Sequence, residues 1–325
     1  MPLSQATAEA HIATWEPTLR KTSYPYRQHW PSRLFRHESL DNILLILSRG
    51  ELLSREQAEA EQVLLNDVAP EHIIQANCAA HDSVRLYFRP RTPTQFHIEG
   101  IREVADYYHG KHAPVLYMMC FDSVRILTTD GVRFSDGNMQ GLPHVFHDDA
   151  GFGQLNFADV YHEGSIPEPD RERVRRARCA EVLVPSPLAL APALQAVICR
   201  SSAERQLLLH ELGDEFPAKE RIRVFSEAGV FNADYAFVET VDLAKDGVHV
   251  KFHCPRRGSL SGTVELRITP LQPSGQAIHW KNLTLEFWKK WMFSYQLQQG
   301  TYLVEIWIRG CLAYRSKALL TDDPF

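Results

Sequence analysis

The sequence predicts an α+β protein in which residues 1–231 mix helices with strands and residues 232–325 form an all-β, immunoglobulin-like sandwich. Three observations carry this. Residues 115–121, Val-Leu-Tyr-Met-Met-Cys-Phe, are an unbroken apolar run suited to a central strand, with Met118 and Met119 in the core. Leu40, Ile43, Leu44 and Leu47 recur at helical spacing between Ser39, an N-cap residue, and Gly50, a C-cap residue. From residue 232 the texture changes to short alternating segments at 235–238, 248–252, 264–268, 283–287 and 302–308, separated by turns such as Asp246-Gly247 and Pro273-Ser274-Gly275.

Taken in order, residues 1–30 are largely polar, with Trp15, Pro17, Tyr24, Pro25, Tyr26 and Trp30 interleaved, and read as a leader packed on the domain surface. A short strand is expected at 34–37 before the capped helix, and a charged helix over 51–65 after it. Residues 84–93 read as a strand leaving through a proline-rigidified turn. On that strand Tyr87 and Phe88 face opposite sides, so that one ring is free for a ligand while the other fills the core; the bland alternative buries both. Arg89 and Arg91 share a side, which suits a diphosphate clamp because guanidinium forks bind phosphate bidentately. Residues 94–110 carry a helical pattern, and 124–128 with 132–134 flank Asp130-Gly131 as a β-hairpin.

Residues 135–169 are glycine-rich and polar with little periodicity, the mark of a functional or disordered loop. His144, His147, Asp148 and Asp149 within it lack the spacing of a closed ligand set, so no metal is expected. Val182-Leu183-Val184, closed by Pro185, reads as a buried strand with Glu181 at its mouth and Arg175, Arg176 and Arg178 just before it. Helices are expected over 187–196 and 203–212, the second ended by Gly213, and a last strand over 222–225.

The length of 325 residues favours two domains, and 44% hydrophobic content supports sizeable cores. No apolar run approaches a membrane span and no signal peptide is legible, so a cytoplasmic protein with no membrane partner is expected. Cys78, Cys120, Cys179, Cys199, Cys254 and Cys311 have no paired metal spacing and are expected as reduced thiols. The net charge is −5, divided as −7 before residue 232 and +2 after it. Bulk charge therefore excludes a generally basic nucleic-acid binder. Nucleic acid, if it is a substrate, must meet a local patch, with Arg85, Arg89, Arg91, Arg102, Arg175, Arg176 and Arg178 as candidates.

Four segments share an order and spacing: Leu-Phe-Arg-His-Glu-Ser-Leu-Asp-Asn at 34–42, Val-Arg-Leu-Tyr-Phe-Arg-Pro-Arg-Thr-Pro at 84–93, Phe-Ser-Asp-Gly-Asn at 134–138, and Arg-Arg-Ala-Arg-Cys-Ala-Glu-Val-Leu-Val-Pro at 175–185. Together they resemble the DarT family of bacterial toxins, NAD-dependent DNA ADP-ribosyltransferases, over roughly residues 30–230. The resemblance implies an ADP-ribosyltransferase-like split β-sheet, with Glu181 as the catalytic carboxylate and Arg175 polarising the acceptor base. ADP-ribosyl transfer passes through an oxocarbenium-like state, which a carboxylate can stabilise while also taking the acceptor's proton. NAD would be held by Arg36 or His37 at its nicotinamide end, with Asn42 and Tyr87 alongside.

The chain departs from the family in having no arginine between Arg55 and Arg85, where a cofactor-binding arginine is expected; Arg85, Arg89 or Arg91 would have to replace it. Arg176, Arg178, Asn138, His144 and His147 would meet single-stranded DNA, and a macrodomain antitoxin that removes the mark is the implied partner. The implied role is a toxin or anti-phage effector. Transfer to RNA or protein stays open, as does a non-catalytic derivative that binds nucleic acid or a partner. The cluster Trp288-Lys289-Lys290-Trp291 is either a stacking platform for the last of these or an edge strand with core tryptophans.

Overall fold

A computed structural model of the chain describes residues 2–63, 81–225, 228–272 and 275–321. It divides into two compact units: Met1–His97, Tyr117–Ile198 and Ser226–Phe231 form the first, and Ile98–Leu116, Cys199–Phe225 and Asn232–Phe325 the second.

The first unit begins with helix α1 (Gln5–Arg20), started by Ser4, whose hydroxyl accepts from the Thr7 amide. Residues 1–30 are thus not a surface leader: α1 buries Ala8, His11 and Leu19, and Trp30 is almost fully enclosed. The strands of this unit are β1 (Arg33–Ser39), β2 (Glu51–Leu52), β3 (Ser83–Tyr87), β4 (Leu116–Asp122), β5 (Arg133–Ser135), β6 (Val145–Phe146), β7 (Glu181–Pro185), β8 (Leu188–Ala189) and β9 (Leu194–Cys199). The main sheet runs β9-β4-β1-β3-β7-β5-β6, and β2 pairs with β8 apart from it. As its apolar run requires, β4 lies inside the sheet with Met118 and Met119 wholly buried.

Helix α2 (Leu40–Arg49) ends as its sequence dictates, at Gly50 in the left-handed region with φ +73°, its amide donating to the Ile46 carbonyl. Ser39 occupies the N-cap position, although its hydroxyl makes no capping bond. The charged helix expected over 51–65 is shorter: β2 intervenes, and α3 (Arg55–Ala60) starts only after Ser54 caps the Gln57 amide. Positions 64 and 65 lie outside the described residues. No hairpin forms around Asp130-Gly131, because Asp122 caps the Arg125 amide and starts a helix over Ser123–Leu127. β5 instead pairs with β6 and β7. Residues 187–196 are not a continuous helix; Pro192 breaks the pattern and Leu194–Cys199 joins β4 as a strand. The stretch 135–169 is built around aromatic rings rather than loose: short helices Asp149–Phe152 and Phe157–Val160 carry Phe152 and Phe157 against Phe88, Phe134 and His11.

The second unit contains β10 (Ile222–Val224), β11 (Val238–Ala244), β12 (Gly247–Phe252), β13 (Ser261–Pro270), β14 (Ile278–Glu286), β15 (Lys290–Ser294), β16 (Gly300–Ile308) and β17 (Cys311–Leu320). Two antiparallel sheets, β11-β12-β15 and β14-β13-β16-β17, share a core that includes Val248, Val250, Phe293, Leu266, Val304 and Ile306. The strand expected at 235–238 starts only at Val238, β15 is the edge strand offered for the tryptophan-lysine cluster, and β17 was not anticipated as a strand. Segments 98–116 and 199–225, expected with the first domain, group here. Glu99 accepts from the amides of Asn232 and Ala233, and the Ser201 hydroxyl donates to the Val238 carbonyl. The helical pattern at 94–110 accordingly yields only Pro93–Ile98 before Gly100 takes φ +93°. In the tryptophan-lysine cluster, Trp288 is exposed, whereas Trp291 is half-buried with its Nε1 donating to the Glu286 carbonyl.

No helix among the described residues is long and apolar enough to cross a membrane. Cys120, Cys179, Cys199, Cys254 and Cys311 are free thiols.

Candidate active site

The site is assembled by strand register. In the antiparallel β3–β7 pair, Tyr87 lies opposite Glu181 and Arg85 opposite Leu183. Side chains two apart on a strand, and those directly opposite on its neighbour, share one face, so Arg85, Tyr87 and Glu181 converge. Glu181 was expected at an open strand mouth. It is the first residue of β7 but has no exposed surface.

A buried carboxylate needs a countercharge. Arg85 supplies it through a two-pronged fork, Nε to Oε2 at 2.9 Å and Nη2 to Oε1 at 2.6 Å. Burial opposes the charge on Arg85, but the facing Glu181 carboxylate outweighs it and raises the pKa of the guanidinium above its ordinary value. The same guanidinium donates to the Asn138 side-chain oxygen at 3.3 Å. Ser135 on β5 steadies the start of β7, its hydroxyl accepting the Glu181 amide at 3.2 Å and donating to the Gly137 carbonyl at 2.7 Å.

The network continues into β1 and α2. Arg36 donates from Nη1 to the Arg85 carbonyl at 3.0 Å and pairs through Nε with Glu38 at 2.5 Å; the other oxygen of Glu38 accepts from Asn42 at 3.0 Å. These three residues line one end of a cleft whose walls also include Leu45, Ile46, Arg49, Glu51, Leu52 and Ala58. The His37 ring stacks parallel to that of Tyr87, with centroids 5.8 Å apart. Burial, reinforced by Glu181, pushes the Tyr87 phenol up, so the hydroxyl stays protonated at neutral pH. Phe88 fills the opposite face against Phe152 and Phe157, and with Tyr87 8% exposed both rings are buried, the alternative to one ring left free.

Of the residues expected to act, the structure thus brings Glu181, Tyr87, Arg36, His37, Asn42 and Asn138 into one neighbourhood. Arg89 and Arg91 stand apart from it. Arg89 is 1% exposed, lies over the Trp30 ring, donates to the carbonyls of Pro90, Val160 and His162, and pairs with Glu163. Arg91 binds the Tyr26 hydroxyl and the same carboxylate. The Arg89 guanidinium is thus engaged by the protein itself, whereas Arg91 keeps 26% of its side chain exposed.

On the other side of Glu181, the helix Arg171–Ala177 presents Arg175 and Arg176 to solvent. Arg176 pairs with Asp136 at 2.9 Å, and Asp136 also takes the His144 ring nitrogen at 2.9 Å. Burial pushes Asp136 up, but the hydrogen bonds from His144 and Arg176 prevail and hold its carboxyl below the usual range. Gly137 is required here, since a Cβ would lie 2.8 Å from the Arg176 side chain. His147 is exposed. Arg178 turns inward to His162 and the Gly164 carbonyl and is half-buried, so it belongs to the packing and not to this surface. Among the described residues no group of three or more histidine, cysteine, aspartate or glutamate side chains is placed to hold a metal ion.

Sequence reasoning missed three participants. Arg85 was noted as a basic residue, but its partner depends on a register that no local pattern encodes. Glu38 and Asp136 sat inside quoted segments without a role; Glu38 gains one through Arg36, two residues along the same strand, and Asp136 through the distant Arg176.

No curated protein matches the sequence. Among solved structures, the chain is similar to DarT of Thermus sp. 2.9 in complex with ADP-ribosylated ssDNA, with 21% identity, TM-score 0.48, and 61% of this chain and 96% of that one covered. The complex of the same protein with NAD+ gives 20% identity, TM-score 0.47, and coverage of 61% and 97%. DarTG of Thermosipho africanus in complex with ADP-ribose gives 16% identity, TM-score 0.48, and coverage of 66% and 54%. The family model described as ssDNA thymidine ADP-ribosyltransferase, DarT, matches residues 35–229. That span takes in the four segments from which the resemblance was read, save Leu34, and more than half of the 325 residues, and this chain therefore belongs to the DarT family of NAD-dependent ADP-ribosyltransferases that modify thymidine in single-stranded DNA.

Proposed function

We propose that Glu181 is the carboxylate that carries the transfer, and that the cleft beside Arg36, Glu38 and Asn42 receives NAD. The observation that carries this is a carboxylate without exposed surface, bound at both oxygens by Arg85 and set directly opposite Tyr87. In the reaction the bond from nicotinamide to the ribose anomeric carbon breaks, nicotinamide leaves with the bonding electrons, and the acceptor atom of thymine bonds to that carbon. The acceptor's proton passes to Glu181, which also stabilises the positive charge developing on the ribose. His37 and Tyr87 offer a stacked pair of rings for the nicotinamide end. Arg36 and Asn42 serve the cofactor side, while Arg175, Arg176, Asn138, His144 and His147 border the nucleic-acid side, with Arg175 polarising the acceptor. A target base must be single-stranded or extruded to reach such a site.

We propose that this activity serves a cytoplasmic toxin or anti-phage effector opposed by a macrodomain antitoxin. The two-sheet unit is proposed as an immunoglobulin-like sandwich, a second domain over 232–325 that governs where the enzyme acts. Incubating the protein with labelled NAD and separate single-stranded DNA, duplex DNA, RNA and protein pools tests the reading. Label should enter single-stranded DNA containing thymidine and be absent from a thymidine-free oligonucleotide; label in RNA or protein alone would refute it.

A further inference from the structure

We infer that Arg85 is a positioning residue of the reaction, keeping the Glu181 carboxylate ionised and fixing its orientation. The inference rests on the reading of Glu181 as the catalytic carboxylate. Glu181 has no exposed surface, and a carboxylate so enclosed without a partner would take up a proton and cease to act as a base. The Arg85 fork meets both of its oxygens, so it sets the charge and the rotation of the carboxylate together. Arg85 is itself held from three directions: by β3–β7 pairing, by Asn138 on its guanidinium, and by Arg36 on its carbonyl. Its side chain is 25% exposed, so the pair opens outward at the arginine and not at the glutamate. No arginine lies between Arg55 and Arg85, which leaves Arg85 as the first cation available to the site after α3.

The test compares full-length wild type with Arg85→Ala and Arg85→Lys, measuring kcat and KM for NAD on a thymidine-containing single-stranded oligonucleotide across pH about 5–9. Arg85→Ala should lower kcat about 10- to 100-fold while KM for NAD stays within about threefold, the loss expected of a charge-assisted hydrogen bond to a buried group. The acid limb of its rate profile should move up by about one pH unit or more, because the carboxylate then has to ionise without its countercharge. Added guanidinium should restore part of the rate. Arg85→Lys keeps the charge without the fork, so its acid limb should stay near that of wild type with kcat still reduced.

A rise in KM with kcat preserved would make Arg85 a cofactor contact and overturn the inference. A loss uniform in pH, with no recovery from guanidinium or lysine, would reduce it to a brace and equally overturn it. Should thermal unfolding show that Arg85→Ala does not fold, Arg85→Lys decides alone, and wild-type kcat in that variant would overturn the inference. If Glu181→Gln is inactive while Arg85→Ala behaves as wild type, only this inference falls. If Glu181→Gln is as active as wild type, the reading beneath it falls.

Discussion

Two arginines four positions apart, Arg85 and Arg89, each face a glutamate inside the first unit, yet they do different work. Arg85 reaches Glu181 with a quarter of its side chain exposed, and its contacts are the two carboxylate oxygens and one amide oxygen. Arg89 is sealed, and three backbone carbonyls, Glu163 and the Trp30 ring account for its guanidinium. The titration shifts diverge accordingly. Burial pulls Arg89 down to about 10 despite Glu163, whereas Glu181 overcomes burial and raises Arg85. A buried ion pair is therefore not in itself a functional signature. What separates the two is whether the pair keeps an outward edge and whether the other partners are side chains or carbonyls of the packed chain.

The largest effect that would break this comparison is on catalysis. Glu181→Gln should cut transfer by about 10²- to 10⁴-fold with the protein still folded, the scale of a lost general base. Glu163→Gln, the matching change in the other pair, should leave the rate per folded molecule within about threefold. Equal rates for the two variants, measured by label incorporation, would erase the distinction.

A second effect appears in stability. Arg89→Ala removes the buried partner of Glu163, leaving it Arg91 and the Tyr26 hydroxyl, and should cost about 1.5–3 kcal/mol in urea unfolding, with NAD affinity of the folded fraction unchanged. The pH dependence has a definite sign. Burial pushes Glu163 up, but Arg89 and Arg91 outweigh it and hold its pKa below the ordinary 4.5. Its contribution is therefore complete above about pH 4.5 and is lost as pH falls through the lowered folded value. Removing Glu163 should flatten that acid loss, and an unchanged profile would show that the pair contributes nothing.

The smallest expected effect concerns an exposed pair that completes the contrast. Arg176 and Asp136 are 45% and 29% exposed, so Arg176→Ala should change stability by less than about 1 kcal/mol. If Arg176 meets DNA, single-strand affinity should fall several-fold, and the slope of log K against log salt should decrease by about 0.7. An unaltered salt slope would remove Arg176 from the nucleic-acid surface.

Local pattern was sufficient where one residue type dictates one conformation. Gly50 ends α2 in the left-handed region, the apolar run at 115–121 enters the sheet interior, and Asp246-Gly247 joins β11 to β12. It failed where a polar cap or a distant ring overrode periodicity. Asp122 turned an expected hairpin strand into a helix, and aromatic packing of Phe152 and Phe157 ordered a stretch that reads as loop. That Arg89 is sealed within an internal ion pair was not legible either, because residue type and spacing alone are the same for a phosphate clamp and for such a pair.

By itself, then, the sequence determined the family, the strand that Glu181 begins, and the change of texture after residue 231, because motif order and strand periodicity are properties of the chain read along its length. Tertiary structure alone decided that Glu181 is enclosed, that Arg85 rather than Arg89 attends it, and that Arg36, Glu38 and Asn42 carry the network to the cleft. The physical reason is register: pairing Tyr87 with Glu181 sets which side chains share a face, and a shift of one residue in β3 against β7 would send every one of them to the other side of the sheet.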